Sequence, residues 1–494
     1  MFLNNDHFKV MLPANIANAY LRGKRPNPFY HASISDDNLS LGYAAGFNFE
    51  HISNGYQVIS IYPCLHKNSL NCHEIRTKMK RRLDFAWILD QKRDLIFYIG
   101  SALVGWLYVG IIWYASHRFS DTRKGSFNSL RVGDFEIPFT LQLLVVTSWA
   151  ILLDAPHIWA TLGRTLFDID EWKNRRSQLL GSFGLFLVGP IAISLPYFLA
   201  YGTAKHGFYI KKETMAIGAI AFFTFFRLWA YYHVVRQHWG FFALYKRKAN
   251  DYGTHRLDYW FFNLTMYMPL VMFVTGSFYP GLRGYPNLGL HSPIIGSLSI
   301  SSILYPFATL LYFFVLVIYL SYQLKLFLIG EQLNVSKLLY MLLIVPLHFV
   351  AFSDLLFAAF ITPIVTVGHN IQYHCIVYTY AQNKYQHSSN PKYRVPRSLF
   401  KNLTTYVVTG IIFTFLCYRG PWINWLKKVT GLGLDKAVFH TVGMMAGISD
   451  PTKLKLGQQV TASLISGFAL QHYYLDSIIW RVSKDKRVQK YLNV

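Results

Sequence analysis

The chain has 494 residues, 53% hydrophobic and 17% aromatic but only 15% charged, and its mean hydropathy is +0.24; this excludes an ordinary soluble multidomain enzyme and points to a polytopic membrane protein with sizeable polar ends. Lys and Arg outnumber Asp and Glu by 48 to 24, a formal charge of +24. In a soluble protein that excess would suggest nucleic acid, but here the basic residues cluster in loops beside apolar runs, where they orient a chain in a membrane, and no nucleic-acid-binding motif accompanies them.

Residues 1–94 are polar to mixed and rich in Asn, His and Tyr. No apolar stretch follows a basic start, so no cleavable signal peptide is expected. The basic run Arg76–Arg82, with Lys92 and Arg93, is expected to hold this end in the cytoplasm. A helical lead-in is expected after residue 74. The four cysteines, Cys64, Cys72, Cys375 and Cys417, are too few and too scattered for a disulfide framework. Cys64, His66, Cys72 and His73 share one short stretch, but their spacing matches no common zinc pattern.

Apolar runs of about 20 residues, enough to cross a bilayer, follow at roughly 95–116, 137–160, 178–201, 214–237, 259–279 and 302–324. The stretch 337–380 is too long for one crossing and contains Pro346 and Pro363, either of which could break a helix. Further runs lie at about 402–418 and 457–480. Loop charge decides how often 337–380 crosses. With the N-terminus inside, the loops bearing Arg164, Lys173, Arg175 and Arg176, and then Lys246, Arg247, Lys248 and Arg256, are cytoplasmic. Two crossings, broken near Ser353-Asp354, return Lys384, Lys392, Arg394, Arg397 and Lys401 to that same side. The expected fold is therefore an all-α integral-membrane bundle of about ten transmembrane helices with both termini cytoplasmic. Residues 1–94 form a mixed cytoplasmic region, 95–480 the transmembrane domain and 481–494 a basic tail. Either a bacterial inner membrane or the endoplasmic reticulum would suit it.

In this map four helices carry polar residues at their cytoplasmic ends: Asp154 with His157, His233 with His238, His369 with His374, and His472 with Asp476. Imidazoles and carboxylates are expensive near hydrocarbon, so their recurrence at one depth marks a shared site. The chemistry that wants many neutral imidazoles together is a metal centre. These eight residues are the expected ligands of a cytoplasm-facing metal site.

Helical geometry constrains how they reach it. At about 100° per residue, His472 and Asp476 stand about 40° apart, and Asp154 and His157 about 60° apart, so each pair can face one ion. The i, i+5 pairs His233/His238 and His369/His374 splay by about 140° in a regular helix. They require either a π-bulge between the two imidazoles or two ions, one served by each ring. The donor set is nitrogen and oxygen, with no Cys or Met cluster, which argues against Cu(I) and iron–sulfur chemistry. One or two irons suit it best, with zinc as the alternative.

Histidine pairs at the cytoplasmic ends of membrane helices resemble the membrane di-iron desaturase and hydroxylase group. The first histidine box of that group is His-x(3–4)-His, whose longer form both His233/His238 and His369/His374 fit. Its boxes with two adjacent histidines have no counterpart here, since the chain contains no His-His, and its usual span count is below ten. The resemblance covers the short motifs alone. It implies O2-dependent oxidation of a lipid.

The ligands need partners for their second ring nitrogen, and Gln237, Gln372, Tyr373 and Tyr473 are near in sequence, as are Asn370, Gln471, Tyr232 and Tyr474. Arg164, Arg236 and Arg481 are placed to meet an anionic headgroup or cofactor, or to snorkel to the interface. His348 is expected nearer the outer side, in a separate polar pair with Asp354, and His440 in an external loop. The aromatic run Phe222–Phe226 reads as ordinary packing. The function these features favour is a metal-dependent oxidoreductase of desaturase, hydroxylase or oxygenase type. It would act on a membrane lipid or other hydrophobic substrate and draw on an electron-donor protein. The alternatives are a transporter or channel with a histidine/aspartate ion or proton pathway, a zinc-dependent membrane hydrolase, and a haem protein with two axial histidines.

Overall fold

The structure is a computed structural model that describes residues 2–4, 7–13, 48–52, 56–61, 83–119, 129–132, 135–138, 145–146, 148–206, 216–282, 288–415 and 455–493. The chain divides into two compact units, Met1–Arg82 and Leu83–Val494. In the first, strands Phe2–Asn4, His7–Pro13, Asn48–Ile52 and Tyr56–Ile61 form an antiparallel sheet in the order first, second, fourth, third. The region expected to be mixed thus contains strands. The expected helical lead-in after residue 74 and the stretch from Cys64 to His73 lie outside the described residues.

The second unit is helical. Its main helices are Ser101–Phe119, Ala155–Thr165, Ile169–Ser182, Leu185–Ala204, Ile217–Lys248, His255–Thr275, Ile300–Ile329, Val335–Ser353, Ile361–Ala381, Leu403–Phe413 and Leu456–Ile479. Local chemistry sets several of their ends. Ser299 and Ser302 form a reciprocal capping box at the start of 300–329, and Gly330, at φ 82°, closes that helix in the left-handed conformation that glycine adopts without strain. The break expected near Ser353-Asp354 is present, and neither proline makes it. Pro346 lies inside the Val335–Ser353 helix and Pro363 in the first turn of the next, where no hydrogen bond is lost. Instead Asp354 is extended, and its side chain accepts the backbone N–H of Leu356 to start the 3-10 turn Leu355–Phe360.

Among the described residues, five helical stretches are long and apolar enough to cross a membrane: Gln91–His117, Ile169–Gly202, Ile300–Ile329, Val335–Ser353 and Leu355–Gln386. This marks a mostly helical membrane protein with five such helices where about ten were expected. The described helices within the other expected spans are short, or diluted by polar residues. The Ile217–Lys248 helix alone carries Arg227, His233, Arg236, Gln237 and His238.

The five differ sharply in surroundings. In 300–329 only 17% of the apolar window is buried, and Leu310, Phe314 and Leu328 face outward; in 355–386 the figure is 83%. The 361–381 helix is therefore the axis of the unit and packs against helices 101–119, 155–165, 217–248 and 335–353. Close approach there needs glycine: a Cβ on Gly105 would meet the Ile364 carbonyl oxygen at 2.9 Å.

Candidate metal centre

The site is assembled from helix ends around that axis. A π-helical turn, Trp149–Asp154, runs straight into helix 155–165 and sets His157 facing inward. His233 comes from helix 217–248, and His472 and Asp476 from one face of helix 456–479. One potential ligand atom from each of these four residues lies within 4.8 Å of all the others, and all four residues are buried. Their rings meet edge to face, at centroid separations of 4.2 Å for His157–His472 and 4.8 Å for His233–His472.

The hydrogen bonds around this group all point its free atoms inward. Thr161 Oγ1, one turn beyond His157, donates to Asp476 Oδ1 at 2.9 Å and lies 2.6 Å from His472 Nδ1. The Thr161 hydroxyl also touches that of Tyr373, and with its one proton directed to Asp476 or to Tyr373 its oxygen accepts from His472 Nδ1–H. That assignment fixes the tautomer and leaves Nε2 with a lone pair. Tyr373 also donates to Asp476 Oδ1, at 2.6 Å, and receives the Trp480 indole N–H at 3.2 Å. What remains without a hydrogen-bond partner is Nε2 of His157, His233 and His472 and Oδ2 of Asp476. Buried polar atoms are almost always paired. These four atoms have no hydrogen bond, the His233 Nε2–Asp476 Oδ2 contact being 3.8 Å, and the four residues bring ligating nitrogen and oxygen atoms within 4.8 Å of one another, which fits a metal ion.

The eight expected ligands divide. His157, His233, His472 and Asp476 come together. His369 borders them, its ring 4.9 Å from that of His157 and 5.2 Å from that of His233. Asp154 lines the adjoining cavity. His374 stands beside the group and outside it, because its Nδ1 pairs with the Tyr406 hydroxyl at 2.6 Å and its Nε2 with the Leu153 carbonyl at 3.4 Å. His238 turns away, its Nδ1 2.7 Å from the Tyr340 hydroxyl and its ring 5.6 Å from that of His348. The geometric reason is the one the spacing required. Both helices are regular between their histidines, and the π turns fall elsewhere, at Asp94–Ile99, Trp149–Asp154 and Gln382–Gln386.

The expected supporting residues are accounted for. Gln237 donates to the His369 carbonyl at 3.0 Å, and Gln372 donates to the Tyr98 carbonyl at 2.8 Å while accepting from Tyr340 at 3.2 Å. The Tyr473 ring stacks on His233 at 4.6 Å. Arg164 is no surface contact. It is fully buried between the rings of Tyr380 and Trp480, 4.2 Å from each. Arg236 and Arg481 are exposed and line a vestibule of about 940 Å³ with Arg247 and Lys484, into which His233, Tyr373 and Asp476 also look.

On the other side of the group lies a largely apolar cavity of about 370 Å³, bounded by Phe226, Leu270, Phe273, Phe352 and Val365 and reaching His157, His233, His369 and His472. The group therefore sits between a greasy chamber and a basic one. Two residues were missed in the sequence. Thr161 had as its only signal the i+4 step from His157. His348 lies beside His238 and not in a pair with Asp354.

Comparison with protein families, curated proteins and solved structures finds no match to this chain.

Proposed function

We propose that this protein is an integral-membrane, iron-dependent oxidoreductase that uses O2 to desaturate, hydroxylate or otherwise oxygenate a lipid or other hydrophobic substrate. One observation carries the reading: His157, His233, His472 and Asp476 bring ligating atoms within 4.8 Å of one another, their Nε2 and Oδ2 atoms have no hydrogen bond, and the three histidines line a largely apolar cavity. Its volume, about 370 Å³, lies within the range of small-molecule sites. Away from the histidines the cavity is walled largely by Phe226, Leu270, Phe273, Phe352 and Val365, which favours an oily occupant over a conducting path. Iron in this setting supplies O2 activation and oxidising power toward an unactivated carbon. The chain's own part is to hold that carbon still, with Phe226, Phe273 and Phe352 as packing walls, and to keep water from it. Thr161 and Tyr373 fix Asp476, and Thr161 fixes His472, so that the donors are arranged before an ion arrives. Oxidations of this kind draw electrons from outside, and Arg236, Arg247, Arg481 and Lys484 give the vestibule the charge to receive an acidic donor protein.

The reading includes ten crossings with both termini in the cytoplasm, in a bacterial inner membrane or the endoplasmic reticulum. Labelling of a single cysteine at position 389 tests it, since reagent access only from the outer face would undo the two-crossing arrangement of residues 337–380. The central test is metal analysis of the purified chain. Iron supports the proposal, zinc in the same His3Asp set redirects it to hydrolysis, and no bound metal overturns it.

A further inference from the structure

The two chambers beside the metal group differ in charge as much as in polarity. Of the residues lining the vestibule of about 940 Å³, only Asp476 is acidic, against Arg236, Lys246, Arg247, Arg481 and Lys484. Lys246 is held by Asp258, and Asp476 Oδ1 by Thr161 and Tyr373. The other four cations pair with no carboxylate among the described residues. Cations that only snorkel reach out to the membrane surface separately. Here four, from the end of helix 217–248 and the turn after helix 456–479, line one concavity that also reaches His233 and Asp476.

The vestibule and the apolar chamber are neighbours. His233 and Tyr473 line both, and their rings stack at 4.6 Å. A molecule with an anionic head among the arginines can therefore carry an apolar tail past these rings, in among Phe226, Leu270, Phe273 and Phe352. An oily substrate alone needs no cations, and a soluble anion alone needs no oily chamber. A ligand with both chemistries accounts for two such chambers sharing a wall at the metal group. Phosphate suits the head: it carries close to two charges at neutral pH and three acceptor oxygens, and arginine forks bind it with two bonds at once. The apolar chamber, about 370 Å³, is near the lower end of small-molecule sites and suits one chain better than two.

We propose that the substrate is a single-chain amphiphile with a phosphate head, which Arg236 and Arg481 hold in the vestibule while the tail occupies the apolar chamber. The carbons nearest the head then lie at His157, His233, His472 and Asp476. The inference rests on the reading of the apolar chamber as the substrate site and names the substrate's polar end and its direction. It gives the vestibule a ligand of its own besides a donor protein.

The test is calorimetric titration of the full chain in a neutral maltoside detergent, with dodecyl phosphate, dodecanol and inorganic phosphate as probes. Dodecyl phosphate is expected to bind about 10-fold or more tighter than either of the others. Arg236→Gln combined with Arg481→Gln is expected to weaken dodecyl phosphate about 10- to 100-fold and to leave dodecanol unchanged. Phe273→Trp, which crowds the apolar chamber, is expected to weaken both amphiphiles about 10-fold and to leave inorganic phosphate unchanged; Leu270→Phe serves if that variant does not fold. Dodecanol or inorganic phosphate binding as tightly as dodecyl phosphate overturns the proposal, as does dodecyl phosphate indifferent to the two arginine changes. Dodecyl phosphate untouched by crowding of the apolar chamber also overturns it, and leaves the vestibule a site for soluble anions. None of these readings depends on a metal. A chain with the expected pattern and no bound metal sinks the oxidoreductase reading and keeps the amphiphile site, and a metal-bearing chain without the pattern does the reverse.

Discussion

Two of the buried polar clusters in the helical unit are built on opposite plans. In one, Asp258 is fully buried and receives Lys246, Thr254, Tyr319 at 2.9 Å and Lys337 at 3.3 Å, while Lys337 also reaches Asp251 at 2.6 Å. Both carboxylate oxygens of Asp258 are used, and the cations are matched by anions. This knot ties helices 217–248, 255–275, 300–329 and 335–353 together. In the other cluster, around His157, His233, His472 and Asp476, the outer atoms are bonded with equal care and the inner ones are left bare. Burial alone does not separate structure from function here. A cluster that closes on itself is architecture, and one that stays open at its centre is a place for something else.

The largest effect that would break this comparison is on metal content. His472→Ala is expected to abolish metal binding at the four-residue group; the buried ring's packing and its Nδ1 bond to Thr161 go as well, so the metal-free protein is expected to lose about 1–3 kcal/mol, less than a variant of the ionic knot, because no buried charge is stranded. A metal-free variant as unstable as one from the ionic knot would make His472 structural. Conversely, Asp258→Asn or Lys337→Met is expected to cost about 3–5 kcal/mol of folding stability, since each strands a buried opposite charge. The fraction that folds should carry its full metal. Denaturant or thermal unfolding in detergent, with metal counted on the folded fraction, reads both arms.

Of the two clusters, the open one was more legible in the sequence, and its limits follow from geometry. His472 and Asp476 meet because an i, i+4 step puts them on one face, and His157 and His233 join them from other helices. Equal depth gave the neighbourhood but not the direction of each ring. His238 shares a helix with His233, and His374 with the bordering His369, yet both point elsewhere, the first toward Tyr340 and the second toward Tyr406. His348 was set on the far side because loop charges fix which end of a helix is inside and say nothing of depth along it. The six-residue 3-10 turn 355–360 delays the start of helix 361–381, so His348 before the break and His369 after it both come beside His238. Among the described residues five helices meet the length and hydropathy of a crossing, and those that carry His157, His233 and His472 are not among them, being shorter or less apolar. The ionic knot left no trace at all, since Asp251, Asp258, Lys246 and Lys337 look like ordinary loop and helix-end charges until four helices are folded together.

Sharpening the comparison at the open cluster means touching its outer bonds. Thr161→Val removes the hydroxyl that orients His472 and one donor to Asp476 Oδ1 while keeping the volume, and Tyr373→Phe removes the other donor. Each is expected to weaken metal affinity about 10- to 100-fold, the usual consequence of losing a ligand's orienting partner. Competition with a chelator of known affinity measures it. An unchanged affinity in both variants would mean that the donors hold their arrangement without these bonds.

The smallest expected effect concerns acid and the closed cluster. Burial pushes the Asp251 carboxyl up, but the charge and hydrogen bond of Lys337, with Lys246 and Thr254, outweigh it and hold the group below the usual carboxylate range. A carboxyl whose folded pKa is depressed adds stability that is fully present above its unfolded value of about 3.9 and is lost as pH falls through the lower folded value. Asp251→Asn should therefore be less stable than wild type at neutral pH, and the gap should close as pH drops below about 4. Thermal unfolding of both proteins across that range measures the gap, and the pairing with Lys337 makes a second check available. In a Lys337→Met background the same substitution should show a flatter pH dependence, because the nearer of the two cations that depress the carboxyl is gone and only Lys246 remains. A gap that stays constant with pH would show that Asp251 contributes through shape and hydrogen bonding, with its charge held no more firmly in the folded protein than in the unfolded chain.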